Sequence, residues 1–298
     1  MLQILKQAWQ DFNEDNCARI ASSLAYAAAF SLAPLLILVI SICQLVFEPE
    51  DIRGQVEADI SSFVGEEGAQ QVKSMIENDA EKEEQGILAT ITGIVIILVG
   101  ATGFFVQLQN GMNDVWEVQP DPERSGWKYF IMKRLLSLGM ILTVAFLVFV
   151  SLVASTVLSS FDTVIDSLLP GMAASSLMFL ANLLVSFVMM TALFAAMFQV
   201  LPDAEIKWKD VLVGATGTAI LFLIGKYGIA FYLSHKSMET TYGAAGSLVV
   251  ILMWVYYSSM ILLFGAEFTQ AWAIAHGEKA EPSQGAVRAV KKTEIERE

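Results

Sequence analysis

Long apolar runs recur along this sequence, and the last of them limits the possible folds most. The stretch from Tyr242 to Thr269 opens on small residues, Gly243-Ala244-Ala245-Gly246-Ser247, and carries no charge from Ser247 to Ala266. As a helix, that run is long enough to cross a bilayer. It contains Trp254, Tyr256, Tyr257, Ser258 and Ser259, and it closes on Gly265-Ala266-Glu267. At about 100° per residue, Met253, Tyr256, Met260, Leu263 and Glu267 share one helix face. A helix surrounded by lipid has no use for that polar face. The run therefore predicts a membrane helix packed inside a bundle.

The whole composition agrees. Of 298 residues, 55% are hydrophobic and only 16% charged, with a mean hydropathy of +0.56. A soluble domain carries about 25% charged residues. The runs are continuous rather than alternating, which predicts an all-α polytopic membrane protein and not a barrel. Cys17 and Cys43 lie in or beside the first run and read as packing residues, with no disulfide framework or metal motif between them. No cleaved signal peptide is expected, and the first membrane helix itself directs insertion.

Taken in order, residues 2–15 place Leu2, Leu5, Trp9 and Phe12 three or four apart, an amphipathic helix on the membrane surface. Helix one follows at about 18–47, small and polar in its first half and interrupted by Pro34. Residues 48–86 carry twelve acids and three bases and predict an extracytoplasmic helical segment between helices one and two. Helix two spans about 86–107, with Gly93, Gly100, Gly103 and Gln107 on one face, either a packing seam or a pore lining. A polar connection, 108–134, precedes helix three at 135–158. Helix four covers 173–200, helix five 211–233, and helix six is the run described above. Residues 1–275 form the six-helix membrane domain, and 276–298 a mobile cytoplasmic tail.

Six spans place both termini on one side. Lys6, Arg19, Arg124, Lys128, Lys133, Arg134, Lys207, Lys209 and five bases of the tail fall on that side, against Arg53, Lys73, Lys82 and Lys236 on the other. The bias of Lys and Arg makes that side cytoplasmic. The outer face carries most of the net negative charge, which excludes nucleic acid as a partner. Those acids either solvate the face or attract cations.

Several motifs then resemble the YihY/BrkB family. They are Ala25-Tyr26 with Phe30-Ser31-Leu32-Ala33-Pro34, the segment from Gln109 to Trp116, Leu201-Pro202 with Trp208, and the closing set Tyr242–Ser247, Trp254–Ser258 and Gly265-Ala266-Glu267. The likeness covers about residues 5–275. Ala27 departs from it, standing where the family commonly has a second tyrosine. The resemblance implies a multi-pass protein of the bacterial cell inner membrane with six spans. It implies no settled activity: some relatives carried the mistaken label ribonuclease BN, others are linked to serum resistance or to export of a lipid A precursor.

The chemistry legible in the residues is sparse. His235 and His276 fall on opposite sides of the membrane, and no metal cluster or phosphate loop occurs, so an enzyme is not expected and neither is a cofactor. Polar residues within the apolar runs are costly in hydrocarbon and are the better candidates. Tyr26, Gln107, Asn113, Asn182, Lys226, Trp254, Tyr256, Tyr257 and Glu267 are the substrate-binding or cavity-lining candidates. Each has a plainer reading: Glu267 as a structural carboxylate, Lys226 snorkelling to the interface, Asn182 and Tyr257 as bundle glue, Asn113 as a cap. The function expected is transport or export of a small polar or cationic solute without an ATP site. A lipid translocator and a non-transporting envelope scaffold are the alternatives; the partners expected are the bilayer and a small solute or lipid substrate, with the oligomeric state left open. Cysteines placed at residue 79 and residue 290 test the topology. The first should label from outside the cell, the second only after permeabilisation, and the reverse pattern would invert the model.

Overall fold

The structure, a computed structural model, describes residues 1–43, 87–121, 131–132, 134–147, 150, 172–235, 246–283 and 285–289. The expected insertion 48–86 and most of the loop after residue 121 lie outside the described residues. What is described is helical apart from four very short strands. Among the described residues, three helices contain segments long and apolar enough to cross a membrane: Leu183–Val200, Trp208–Gly225 and Val249–Ala275.

Helix α1, Leu2–Glu14, is followed at once by α2, Cys17–Cys43. Asn16 makes the turn in the left-handed region, φ 54°, a conformation its short amide tolerates. That amide donates to the Glu14 carbonyl at 3.1 Å, and the Asn16 carbonyl accepts the Arg19 N–H at 2.8 Å. One residue thus ends one helix and starts the next.

Helix α3, Ile87–Val115, is two turns longer than the expected helix two. The extra turns belong to a segment that reads as a polar loop, but Leu108, Met112, Val115 and Trp116 recur at helical spacing and all are buried. Burial of that apolar stripe outweighs the polar residues between. Strand β1, Val118–Pro120, and helix α4, Arg134–Leu147, follow.

Helices α2 and α3 pack along a seam of small residues. A Cβ at Gly100 would lie 2.9 Å from the ring of Pro34, one at Gly103 3.3 Å from the Ser31 hydroxyl, and one at Gly111 2.6 Å from Ile20. Pro34, which removes a backbone donor inside α2, is thus received by a glycine.

Helix α5, Met172–Val200, turns through Leu201-Pro202-Asp203 and strand β2, Ala204–Glu205, into α6, Trp208–His235. Helix α7, Gly246–Ala275, touches α1, α2, α3 and α6 and is the hub of the bundle. It also continues two turns past Glu267, so the carboxylate stands inside the helix and not at its end.

The α6–α7 contact rests on a reciprocal interlock. Thr218 donates to the Gly214 carbonyl at 2.7 Å, and Thr269 donates to the Gly265 carbonyl at 2.6 Å. The threonine of each helix occupies the space a Cβ would need at the glycine of the other. Two Gly-x-x-x-Thr repeats therefore bring the backbones close, the device by which apolar helices associate without a hydrophobic drive. Farther along, the ring of Tyr257 fills the space over Gly225.

The chain ends on strands β3, Glu281–Pro282, and β4, Ala286–Arg288. Helix α7 stops with Gly277 at φ 77°, its N–H bonded to the Ile274 carbonyl and the Glu278 N–H to the Ala273 carbonyl, a Schellman termination. Strand β3 then pairs antiparallel with β2, and β4 with β1. Residues 281–283 and 285–289, placed in the tail by sequence, are thus hydrogen-bonded to two loops of the bundle.

Substituting Gly214 with Val should wedge α6 from α7 and cost roughly 1–3 kcal/mol by overpacking. Gly139→Ala is the control, because nothing lies within 4 Å of a Cβ there. Thermal melting in detergent should drop for the first and hold or rise for the second.

Candidate functional site: the buried polar groups at the strand end of the bundle

Glu267 is completely buried, at 0% exposure. It projects from α7 towards the start of α2, where the Cys17 thiol donates to its Oε1 across 3.4 Å. Helix α1 lies alongside. Its Trp9 and Phe12 rings meet Phe264 edge-on, with centroids 6.4 and 6.0 Å away. The amphipathic helix expected on the membrane surface therefore gives part of its apolar face, Ala8 and Phe12, to the bundle, while Leu2, Leu5 and Trp9 remain exposed. A charged carboxylate is costly to bury, and this one sits on the helix that joins the others.

A second polar node is made by Asp203. Its carboxylate accepts Asn113 Nδ2 at 2.7 Å and Gln109 Nε2 at 3.1 Å, while its backbone N–H donates to Asn113 Oδ1 at 2.8 Å. Its carbonyl accepts the Ser283 N–H at 2.9 Å. Asp203 thereby ties the end of α3, the turn between α5 and α6, and the C-terminal strands. Gln109 and Asn113 lie one turn apart on α3, which aims both amides at one turn. The segment 109–116 and the Leu201-Pro202 turn, separate motifs in the sequence, are partners in space.

The segment leading into the C-terminal strands is held by the residue just before α6 as well. Lys207 Nζ lies 2.6 Å from Glu278 and holds that carboxyl below the ordinary glutamate range. Arg288 donates to the Ala280 carbonyl at 3.0 Å.

The other candidates scatter. Gln107 donates to the Ser23 hydroxyl at 3.0 Å across the α2–α3 seam, and Ser23 donates onward to the Ile20 carbonyl. Tyr26 is 69% exposed, its ring against Phe30 on the outside of the bundle. Trp254 is buried between Phe222 and Tyr257, with centroids 5.8 and 6.4 Å away. Tyr256 is half-buried against the core. Asn182 and Lys226 lie on α5 and α6, and their side chains fall outside the described residues. Glu267 and Asn113 are thus brought to the same end of the bundle, while Tyr26, Trp254 and Tyr257 are not.

Among the described residues, two clefts open at this end. The larger, about 580 Å³, is walled by Glu205, Lys207, Asp210, Glu278 and Lys279 among others. The smaller, about 210 Å³, lies between α1, the end of α3 and the C-terminal strands. Neither reaches Glu267, Trp254 or Tyr256. Among the described residues, no group of three His, Cys, Asp or Glu side chains is arranged to hold a metal ion.

Sequence reasoning did not single out Cys17 or Asp203. Cys17 faces Glu267 from a distance of 250 residues, and no local pattern reports that. Asp203 follows Leu201-Pro202, so a signal existed: an acid after a turn proline, with two amides four residues apart elsewhere in the chain.

No solved structure matches the chain. Among known proteins it is 28% identical over 267 residues to a UPF0761 membrane protein of Alcanivorax borkumensis, covering 89% of this chain and 59% of that one. It is 28% identical to one from Methylibium petroleiphilum, covering 89% and 61%, and 24% identical to one from Pseudoalteromonas atlantica, covering 87% and 82%. The chain therefore spans about three fifths of the length of the first two relatives. The family model described as "Virulence factor BrkB" matches residues 8–290. Among the described residues, three helical segments are long and apolar enough to cross a membrane and the relatives are named membrane proteins; the chain is an integral membrane protein and belongs to the BrkB family.

Proposed function

We propose that this protein is a carrier, not an enzyme, that moves a small polar or cationic solute across the bacterial inner membrane without an ATP site. In this reading it has six spans with both termini in the cytoplasm. The observation that supports it is the burial of Glu267 on the helix that contacts four others. A carboxylate within an apolar bundle is expensive, and such groups in membrane proteins mark solute and ion paths.

The reading takes the present arrangement as closed at the cytoplasmic end. Helix α1 lies over the lower part of α7, and Asp203 and the terminal strands tie α3, α5, α6 and α7 together. In this reading, opening moves α1 and the start of α2 away from α7, a contact that includes the Trp9, Phe12 and Phe264 rings and the Cys17 thiol. Such a movement uncovers Glu267 and offers a cation its countercharge.

The purified chain in proteoliposomes tests this with labelled tetraethylammonium, choline and putrescine, and with fluorescent phospholipids in parallel. Glu267→Gln keeps the shape and removes the charge. Solute flux should fall tenfold or more, about what one charge-assisted contact contributes, with melting little changed. Unchanged flux per folded molecule with lowered melting would leave Glu267 a packing role. Lipid movement alone would support the translocator, and the absence of both would support the scaffold, which the filled interior around Trp254 also suits.

A further inference from the structure

The wall of the larger cleft contains a carboxyl pair that the transport reading does not use. Asp210 stands in the first turn of α6 and is buried, at 6% exposure. Glu278 stands just past the end of α7, on the way to β3. Both line the cleft, and their side chains are hydrogen-bonded to each other. Lys207 occupies the Glu278 Oε1 at 2.6 Å. The Glu278 Oε2 is buried and meets no N–H or hydroxyl donor among the described residues. Ionised carboxylates are acceptors only, so two in contact repel unless something positive lies between them. One shared proton turns that repulsion into a charge-assisted O–H···O⁻ bond. Asp210 suits the neutral role, being the more deeply buried, while Lys207 favours the charge on Glu278.

The pair joins α6 to the strap from Gly277 to Ser283. Farther along the strap, Glu281 and Pro282 pair with Glu205 and Ala204, and the Ser283 N–H donates to the Asp203 carbonyl at 2.9 Å. Other charges face the pair from each neighbouring element. Lys207 and Lys209 flank the start of α6, His276 follows α7, Glu205 lies on β2, and Lys279 and Glu281 belong to the strap. The two lysines and the N-terminus of α6 favour negative charge here, which keeps full ionisation of the pair within reach.

We propose that Asp210 and Glu278 form a proton-operated latch, holding the strap on α6 while they share one proton and loosening it when both ionise. A carboxyl pair gives up its protons in two steps, the second above the range of an isolated carboxyl. The shared proton's contribution is present below that second step and is lost as pH rises through it. Glu278, held below the ordinary glutamate range by Lys207, contributes its ion pair above that lower value and loses it in stronger acid. The strap is therefore held most firmly between the two steps. The latch stands whether or not the protein moves a solute, and the Glu267 experiment does not bear on it.

Hydrogen exchange of the full chain in nanodiscs, read by mass spectrometry and corrected for the intrinsic rate at each pH, tests this. Protection of residues 277–283 should fall about tenfold between roughly pH 5 and pH 8, the effect of one pKa unit of linkage. Peptides around Thr218 and Thr269 should keep theirs. Asp210→Asn supplies a permanent donor and removes the titration, so its strap should stay protected across the range. Should that variant fail to fold, Glu278→Gln, at a half-exposed position, should give the same flat profile. His276→Gln removes an imidazole, the side-chain type that changes charge nearest neutrality, and should leave the fall in place. A flat profile in the unaltered chain, a fall that persists in the Asn or Gln variant of the pair, or one that vanishes in His276→Gln would overturn the proposal.

Discussion

The close approach of α6 and α7 is the contact on which the rest of the bundle depends. In lipid, helices gain nothing from hiding apolar surface, so they associate where backbones come near enough for dense packing. Gly214 and Gly265 provide that nearness, and Thr218 and Thr269 fill it. Each threonine hydroxyl is satisfied by its own helix, so neither is an orphan donor. With α7 fixed against α6, its remaining faces are free to receive α1, α2 and α3. The α2–α3 seam repeats the principle with Gly100, Gly103 and Gly111.

Polar groups are then concentrated at one end. Asp203 uses its carboxylate, its N–H and its carbonyl at once, and so one residue fixes three separate parts of the chain. The terminal strands add backbone pairing, which forms only in register, and the Lys207–Glu278 ion pair adds little by comparison because it is exposed. Glu267 differs from both: it faces α2 under α1, where the Cys17 thiol donates to it and the Trp9, Phe12 and Phe264 rings lie alongside.

Much of this was legible in the residues. The uncharged run to Ala266 gave α7, and the spacing of small residues gave the α2–α3 seam, because both depend on local periodicity. The Gly-x-x-x-Thr repeats at 214–218 and 265–269 were visible too, and their reciprocity follows only once the two helices are known to run antiparallel. The extension of α3 to Val115 was hidden because Gln109, Asn110, Asn113 and Asp114 read as a loop, and the burial of Leu108, Met112 and Trp116 needs partners distant in sequence. The strand pairing of residues 281–288 was hidden for the same reason, since two- and three-residue strands have no periodicity to detect. The meeting of Cys17 with Glu267 is a tertiary fact that no spacing encodes.

The account stands on α1 and α2 being seated on α7 with Glu267 sealed between them, and Cys17 reports on that seal directly. With Cys43 replaced by serine, Cys17 is the single thiol of the chain and is fully buried in the structure. Its modification by a membrane-permeant maleimide should be slower in the folded protein than in the denatured one by two orders of magnitude or more, on the order of 3 kcal/mol of opening free energy. Modification at the denatured rate would mean that α1 and α2 do not close over α7, and that Glu267 is not sealed.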